Sequence, residues 1–270
     1  MSKLSTVKIS LKKYVADWIV KKNEKLHPNY CLIKLTQKAP LPEMLPGQFV
    51  EVRVDNSPTT FLRRPISINF IDKKKHELWL LIQIIGDGTR KLSELKEGEI
   101  VNLVYSLGNS FSMPAAGNRN KKLLLIGGGV GTAPMLFLGS ELKNLGYNPV
   151  FLLGAKTSGD LLQLDMFRQF GTVYTTTEDG SQGEKGYVTN HSVLKNQDFD
   201  MIYTCGPKPM MMAVASYAKQ AGITCEVSLE NVMACGIGAC LCCVENTVEG
   251  HICVCKEGPV VNIQKLKWQI

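Results

Sequence analysis

The sequence predicts a β plus α/β protein in three parts. These are an N-terminal antiparallel β-barrel over residues 1–116, a parallel-sheet domain over 117–222 and a small cysteine-loop subdomain over 223–270. Three observations predict this division. Up to about residue 115, short apolar stretches alternate with turn residues. From Lys121 onward, strand-like runs alternate with helical ones, and the first run leads directly into Gly127-Gly128-Gly129-Val130-Gly131. Finally, six of the nine cysteines lie between Cys235 and Cys255.

A chain of 270 residues has room for two domains and an appendage. Its 44% apolar and 20% charged residues are those of an ordinary globular protein. The uncharged run from Leu123 to Ser140 reaches the length of a membrane span. It holds Gly127, Gly128, Gly129, Gly131 and Pro134, however, and so reads as a strand, a turn and a helix start. Met1 to Lys25 is studded with lysine and has no apolar signal core. With many thiols besides, the cytoplasm is the expected compartment. The net charge of +7 comes from lysines spread along the chain, and Lys73-Lys74-Lys75 reads as a solvated turn. Basic and aromatic residues do not interleave, so no nucleic-acid partner is expected, and the glycine-broken apolar run argues against a membrane one.

In the first part, strands are expected at Tyr30–Thr36, Gln48–Val54, Leu62–Phe70, Glu77–Ile85 and Glu99–Tyr105. Val50, Val52 and Val54 alternate with Glu51 and Arg53, the period of a strand with two unlike faces. Arg64-Pro65-Ile66-Ser67 puts a proline on a strand, where it is tolerated mainly at an edge. There an arginine can neutralise a phosphate and a serine can hydrogen-bond one. Gly86-Asp87-Gly88-Thr89 precedes a short helix expected over Arg90–Leu95, which would aim backbone N–H groups and a hydroxyl at a pyrophosphate. Alone, the first motif could equally be a strand edge with a surface arginine. The two in succession are more specific.

The second part opens with the apolar strand ending Leu123-Leu124-Leu125-Ile126, the glycine turn through Gly131-Thr132-Ala133-Pro134, and a helix over Met135–Leu145. That layout presents amides to a dinucleotide pyrophosphate; the alternative is a tight turn with no ligand. Strands at Pro149–Leu153, Gly171–Thr177 and Asp200–Cys205, with helices at Leu161–Phe170 and from Met210 to Lys219, continue the alternation. Ligands bind at the carboxyl ends of such strands, where Cys205-Gly206-Pro207 also falls. Cys205 is either core packing or a nicotinamide contact, and Met210, Met211 and Met212 read as packing.

In the third part, Cys235, Cys240 and Cys243 follow C-x4-C-x2-C with a distant fourth cysteine, the spacing of a plant-type [2Fe–2S] loop. Gly236 and Gly238 permit the tight fold-back, and Ala239 keeps bulk away from the sulfides. Zinc competes for the same thiols, since Cys240-x2-Cys243 with Cys253-x-Cys255 could make a four-sulfur site. Disulfides have no secretory context. Scattered Cys31, Cys205 and Cys225 could be small buried hydrophobes. Cys253 and Cys255, two apart, would face one side of a strand, so spacing does not choose between them.

These motifs, in this order, resemble the ferredoxin–NADP reductase superfamily. The cysteine loop, with Cys255-Lys256-Glu257-Gly258-Pro259-Val260 after it, looks like that of the electron-transfer subunits of type B dihydroorotate dehydrogenases. The resemblance implies FAD, a [2Fe–2S] cluster and NAD as cofactors. Its FAD contacts would be Arg64, Pro65, Ile66, Ser67, Leu81, Ile82, Gln83, Gly88 and Thr89. The nucleotide would lie on Gly127, Gly128, Gly129, Gly131 and Thr132, with its nicotinamide end at Cys205, Gly206 and Pro207. Glu178 and Asp179 fall where such proteins read the adenine ribose, and acids there favour NAD over NADP; the alternative is two solvated loop acids. The cluster ligands would be Cys235, Cys240, Cys243 and Cys255, the last chosen by the C-x-x-G-P signature, which leaves Cys242 and Cys253 as extra thiols.

By that resemblance, a separate FMN-containing catalytic subunit oxidises dihydroorotate in pyrimidine biosynthesis, in an assembly with two copies of each subunit. This chain then passes the electrons through cluster and FAD to NAD+. An independent argument agrees. The three parts use up the chain, leaving no room for a (β/α)8 barrel of about 250 residues. His27, His76, His191 and His251 are scattered and form no acid–base constellation. The competing readings are a reductase subunit of a ferredoxin:NADP or sulfide-linked oxidoreductase, and a colourless zinc-binding regulatory module.

Overall fold

The computed structural model of the chain describes residues 12–114, 119–196 and 198–270. The first eleven residues of the lysine-rich N-terminus, and the boundary expected at 116/117, lie outside them.

The first part is a closed antiparallel barrel. Its strands are β1 (Tyr14–His27), β2 (Tyr30–Thr36), β3 (Phe49–Val52), β4 (Arg64–Asp72), β5 (Glu77–Gln83) and β6 (Ile100–Leu107). They close in the order β1-β2-β5-β4-β3-β6, β1 pairing with β6. Val50, Val52, Ile68, Leu80 and Leu103 fill the interior. Each such buried side chain contributes about 1.5–3 kcal/mol. β1, the longest strand, was not expected from sequence. Only Trp18 and Val20 along it are buried, and the Lys21 to Lys25 stretch breaks the apolar alternation. The short helix starts earlier than its apolar residues suggested, as α1 (Asp87–Ser93).

The second part is a seven-stranded sheet, built in chain order from β7 (Leu123–Gly128), α2 (Ala133–Asn144), β8 (Val150–Ala155), α3 (Leu164–Phe170), β9 (Thr172–Thr177), β10 (Glu184–Lys185), α4 (Val193–Asn196), β11 (Met201–Cys205), α5 (Lys208–Gln220) and β12 (Thr224–Ser228). The strand order is β10-β9-β8-β7-β11-β12-β15, where β15 (Val260–Asn262) runs antiparallel to β12 at the edge. The sheet thus takes two strands from the segment assigned to the cysteine loop. Between them lie the two-stranded β13 (Val244–Thr247) and β14 (Gly250–Cys253), followed by the helical turn α6 (Val254–Glu257).

The parts are packed together. Asn69 of β4, fully buried, donates to the Ala133 carbonyl and exchanges side-chain hydrogen bonds with Gln163. Phe70 stacks on Phe170. Phe49 and Leu107 of the barrel share one apolar cluster with Ile126 of the sheet and with Cys243, Val254 and Cys255 of the cysteine loop. The flavin-type motif, the glycine turn and the thiols are therefore brought to one region.

Candidate functional site

The two barrel motifs meet. A Cβ at Gly88 would lie 2.7 Å from Nε of Arg64, so the arginine folds over the start of α1 and only glycine leaves it space. Arg64 also donates to the Leu62 and Arg63 carbonyls, which fixes its guanidinium on this face. Thr89 closes the turn before α1. Its hydroxyl accepts from the amides of Ile85 and Gly86 and donates to the Gly86 carbonyl, so it ties the turn together. Leu81 packs with Tyr30, Trp79 and Ala133 toward the sheet, whereas Ile82 points into the barrel interior and could offer a ligand only its backbone. Gln83 donates to the Tyr30 hydroxyl. Pro65, Ile66 and Ser67 are half-buried on β4.

The two nucleotide motifs also meet. β7 and β11 pair in register up to Gly127 with Cys205. A Cβ at Gly131 would fall 2.5 Å from the Cys205 carbonyl oxygen and from the nitrogen and Cα of Gly206. One at Gly127 would fall 2.8 Å from the Cα of Thr132. The turn is thus a cradle of bare backbone at the carboxyl ends of two parallel strands, suited to a pyrophosphate. Gly129, with φ +56, faces the Tyr30 hydroxyl of the barrel. Met210 packs over Gly128 and Gly206, and Met211 is buried. Cys205 is buried and its thiol donates to Glu230. Burial, reinforced by Glu230, pushes that thiol well above its usual range. The Glu230 carboxyl is itself raised, chiefly by desolvation.

Glu178 and Asp179 are exposed just past β9, and the Glu178 amide is bonded to the Ala155 carbonyl at the end of β8. The amide and hydroxyl of Ser181 both donate to Asp179 and hold its carboxyl below the usual range.

In the cysteine loop, Gly236 and Gly238 take φ of +67 and +81, the left-handed backbone that their positions suggested. Four thiols lie close together, Cys235 beside Cys240 and Cys243 beside Cys255, near enough for each pair to perturb one another's ionisation. Backbone amides point at the sulfurs. Ile237 and Ala239 donate to Cys235, Gly238 to Cys255 at 3.1 Å, and the Cys255 amide to Cys243. Burial works to raise the Cys235 thiol, but the hydrogen bonds from Ile237, Cys240 and Ala239 outweigh it and bring it down to about 6. Two pairs of thiols lined by amide donors suit a two-iron cluster carried on four cysteines.

Cys253 and Cys255 do not lie along one strand, because the chain turns into α6 between them. Cys255 is 1% exposed and enters the amide network. Cys253 is half-buried, with its amide bonded to Glu257, and Cys242 is exposed. Asn109 secures the segment after Cys255. It donates to the Glu257 and Val260 carbonyls and accepts from the Val260 amide.

The oxidoreductase NAD-binding domain matches residues 125–216, and the iron-sulfur cluster binding domain of dihydroorotate dehydrogenase B matches residues 230–267. The chain is 38% identical over 220 residues to the dihydroorotate dehydrogenase B (NAD(+)) electron transfer subunit of Shouchella clausii, covering 80% of this chain and 83% of that one. The corresponding subunit of Caldanaerobacter subterraneus subsp. tengcongensis is 39% identical over 219 residues, covering 80% of this chain and 84% of that one. The chain belongs to the family of dihydroorotate dehydrogenase B electron transfer subunits. Electron-transfer subunits of this family share their fold with other reductases. A solved NADH-dependent reduced ferredoxin–NADP oxidoreductase superposes with a TM-score of 0.83 at 27% identity, over 94% of this chain and 90% of its own. A ferredoxin reductase of carbazole 1,9a-dioxygenase has the same fold, with a TM-score of 0.67 at 21% identity, over 79% of this chain and 68% of its own.

Several residues of the site escaped sequence reading. Tyr30, Asn69, Asn109 and Glu230 act through contacts distant in sequence, and no local pattern marks them. Glu51 carried a partial signal. The valine alternation put it on the face away from the barrel interior, but not under a distant loop.

Proposed function

We propose that this chain conducts electrons between an FMN-bearing catalytic partner that oxidises dihydroorotate and NAD+, through a [2Fe–2S] cluster and FAD. The observation that carries the reading is spatial. The four-thiol loop packs on the barrel beside the Arg64–Ser67 strand, and the glycine turn of the nucleotide domain faces the same barrel through Gly129 and Tyr30. Three binding places in series match the order of transfer. The bound cofactors supply the exchange between hydride and single electrons, and the protein holds and orients them.

Arg64 would neutralise the flavin phosphates, and Pro65, Ile66, Ser67, the backbone of Leu81 to Gln83 and the α1 turn at Gly88 would frame the ring and its tail. Gly127 to Thr132 would seat the NAD pyrophosphate, with the nicotinamide at Cys205, Gly206 and Pro207 and the adenine ribose near Glu178 and Asp179. Cys235, Cys240, Cys243 and Cys255 would hold the cluster. The functional units are 1–116, 117–222 and 223–270. The assembly holds two copies of each subunit, and nine free cysteines suit a reducing cytoplasm. Among the described residues no helix is long and apolar enough to cross a membrane.

Purified chain loaded with FAD and cluster is expected to reduce dyes with NADH and to leave dihydroorotate untouched. Adding the catalytic partner creates dihydroorotate:NAD+ activity. Robust orotate formation by this chain alone would overturn the division of labour. The likeness to the reduced ferredoxin–NADP oxidoreductase supports one alternative partner. Activity with ferredoxin and none with the dihydroorotate-oxidising subunit would select it.

A further inference from the structure

Glu51 is a fully buried carboxylate, 0% exposed, and both of its side-chain oxygens lack a hydrogen-bond partner. Its place in the fold is specific. Val50 and Val52 point into the barrel, so Phe49 and Glu51 point out of it. Register pairs Glu51 with Pro65 and Phe49 with Ser67. Glu51 therefore shares the outer barrel face with two residues of the strand assigned above to the flavin. Its other side meets the cysteine loop. A Cβ at Gly236 would fall 2.7 Å from Cγ of Glu51 and 3.2 Å from its Oε1. Gly236 is next in sequence to Cys235, so one side chain bridges the flavin strand and the cluster loop.

The surrounding charges do not satisfy it. Arg63 spends its guanidinium on the Glu51 carbonyl and on the carbonyl and side-chain oxygens of Asn102, not on the Glu51 carboxyl. Arg64 turns its guanidinium to the Leu62 and Arg63 carbonyls. Burial raises the Glu51 carboxyl to about 7 against the pull of these two arginines, with the Cys235 thiol adding to the rise. A buried acid with two bare oxygens destabilises a fold unless water, an ion, a ligand or a functional role accounts for it.

We propose that Glu51 is a further cofactor-contacting residue of the flavin site, an acceptor for a ring-edge N–H of the isoalloxazine and a fixed negative charge on the path between flavin and cluster. The inference rests on the reading under Proposed function and adds to it a residue that sets how the two centres stand relative to each other. A negative charge in a low-dielectric wall disfavours the arrival of an electron on either side.

The test uses the chain carrying FAD and cluster at pH 8, as parent, Glu51→Gln and Glu51→Leu. The readouts are the FAD dissociation constant, the flavin midpoint potential by spectroelectrochemical titration and the cluster midpoint potential followed by its reduced-state paramagnetic signal. Glu51→Gln keeps size and hydrogen-bonding capacity but removes charge, so both potentials move upward. Glu51→Leu removes the acceptor as well, and its FAD dissociation constant rises about tenfold or more, the loss of a hydrogen bond to a charged group. Unmoved potentials in Glu51→Gln overturn the proposal. So does a lower thermal midpoint in Glu51→Leu with unchanged FAD affinity, since that is a packing role alone. A parent protein without flavin or cluster absorbance overturns the underlying functional reading, and it is seen before any variant is measured.

Discussion

Replacing Gly131 with alanine puts a methyl group 2.5 Å from the Cys205 carbonyl oxygen and from the nitrogen and Cα of Gly206. Comfortable carbon contacts begin near 3.5 Å, so the turn or its neighbour must move by about an ångström. Neither side is soft. The obstructing atoms are backbone, and the β7–β11 ladder holds them in register up to Gly127 and Cys205. Overpacking of this kind costs about 1–3 kcal/mol. If the displaced turn is the one that holds the pyrophosphate, the loss appears as a 5- to 150-fold weaker grip on the nucleotide, at about 1.4 kcal/mol per tenfold. The assay is steady-state dye reduction by NADH in the loaded chain, with flavin and cluster absorbance as controls that the barrel and the cysteine loop are intact. KM for NADH is expected to rise through that range. A KM equal to the parent's, even in a protein whose thermal midpoint has fallen, would refute the assignment of this turn to the nucleotide.

Cys255→Ser should lose cluster absorbance and iron while keeping FAD, and Cys253→Ser should keep both; the reverse pattern would reassign the fourth ligand. Arg64→Ala should weaken FAD binding by about ten- to a hundred-fold, the worth of about 1.5–3 kcal/mol in charge-assisted hydrogen bonds, measured by flavin retention on ultrafiltration. The parent should use NADH in preference to NADPH. Asp179→Asn, which removes a charge held in place by Ser181, should narrow the ratio of kcat/KM for the two. An equal ratio in the parent would sink the ribose assignment.

The strands that sequence reading found are those whose alternation is uninterrupted. Tyr30–Thr36 coincides with β2, and the strand expected at Gln48–Val54 is found as the shorter β3, which takes in Val50 and Val52 and stops before Val54. The strand that it missed in the barrel, β1, has lysines and acids where the barrel wall meets solvent, so burial cannot write a pattern there. β12 and β15 were missed for a different reason. Thr224–Ser228 contains Glu226, whose carboxyl is turned to the Ser112 amide, and Val260–Asn262 is three residues long. Neither has enough apolar sequence to declare a strand. At the site, glycine motifs and cysteine spacing were legible because local backbone geometry demands them. The choice between Cys253 and Cys255 was not, because it depends on a helical turn closed by contacts to Asn109 on the barrel. The bridging of Glu51 to Gly236 was invisible for the same reason, being a contact between segments far apart in the chain.

The chain leaves the sheet after Ser228 and rejoins it at Val260, and these two residues are partners in the β12–β15 ladder. Everything that holds the thiols is therefore a detour whose two ends sit one strand spacing apart, about 4.8 Å. The entropy of closing that detour is met by the sheet and not by the iron. A detour closed in this way can open and be refilled as a separate cooperative unit while its base stays shut. Amide hydrogens between Cys235 and Cys255 would exchange rapidly in iron-depleted protein, while those of the β12–β15 ladder would keep their protection.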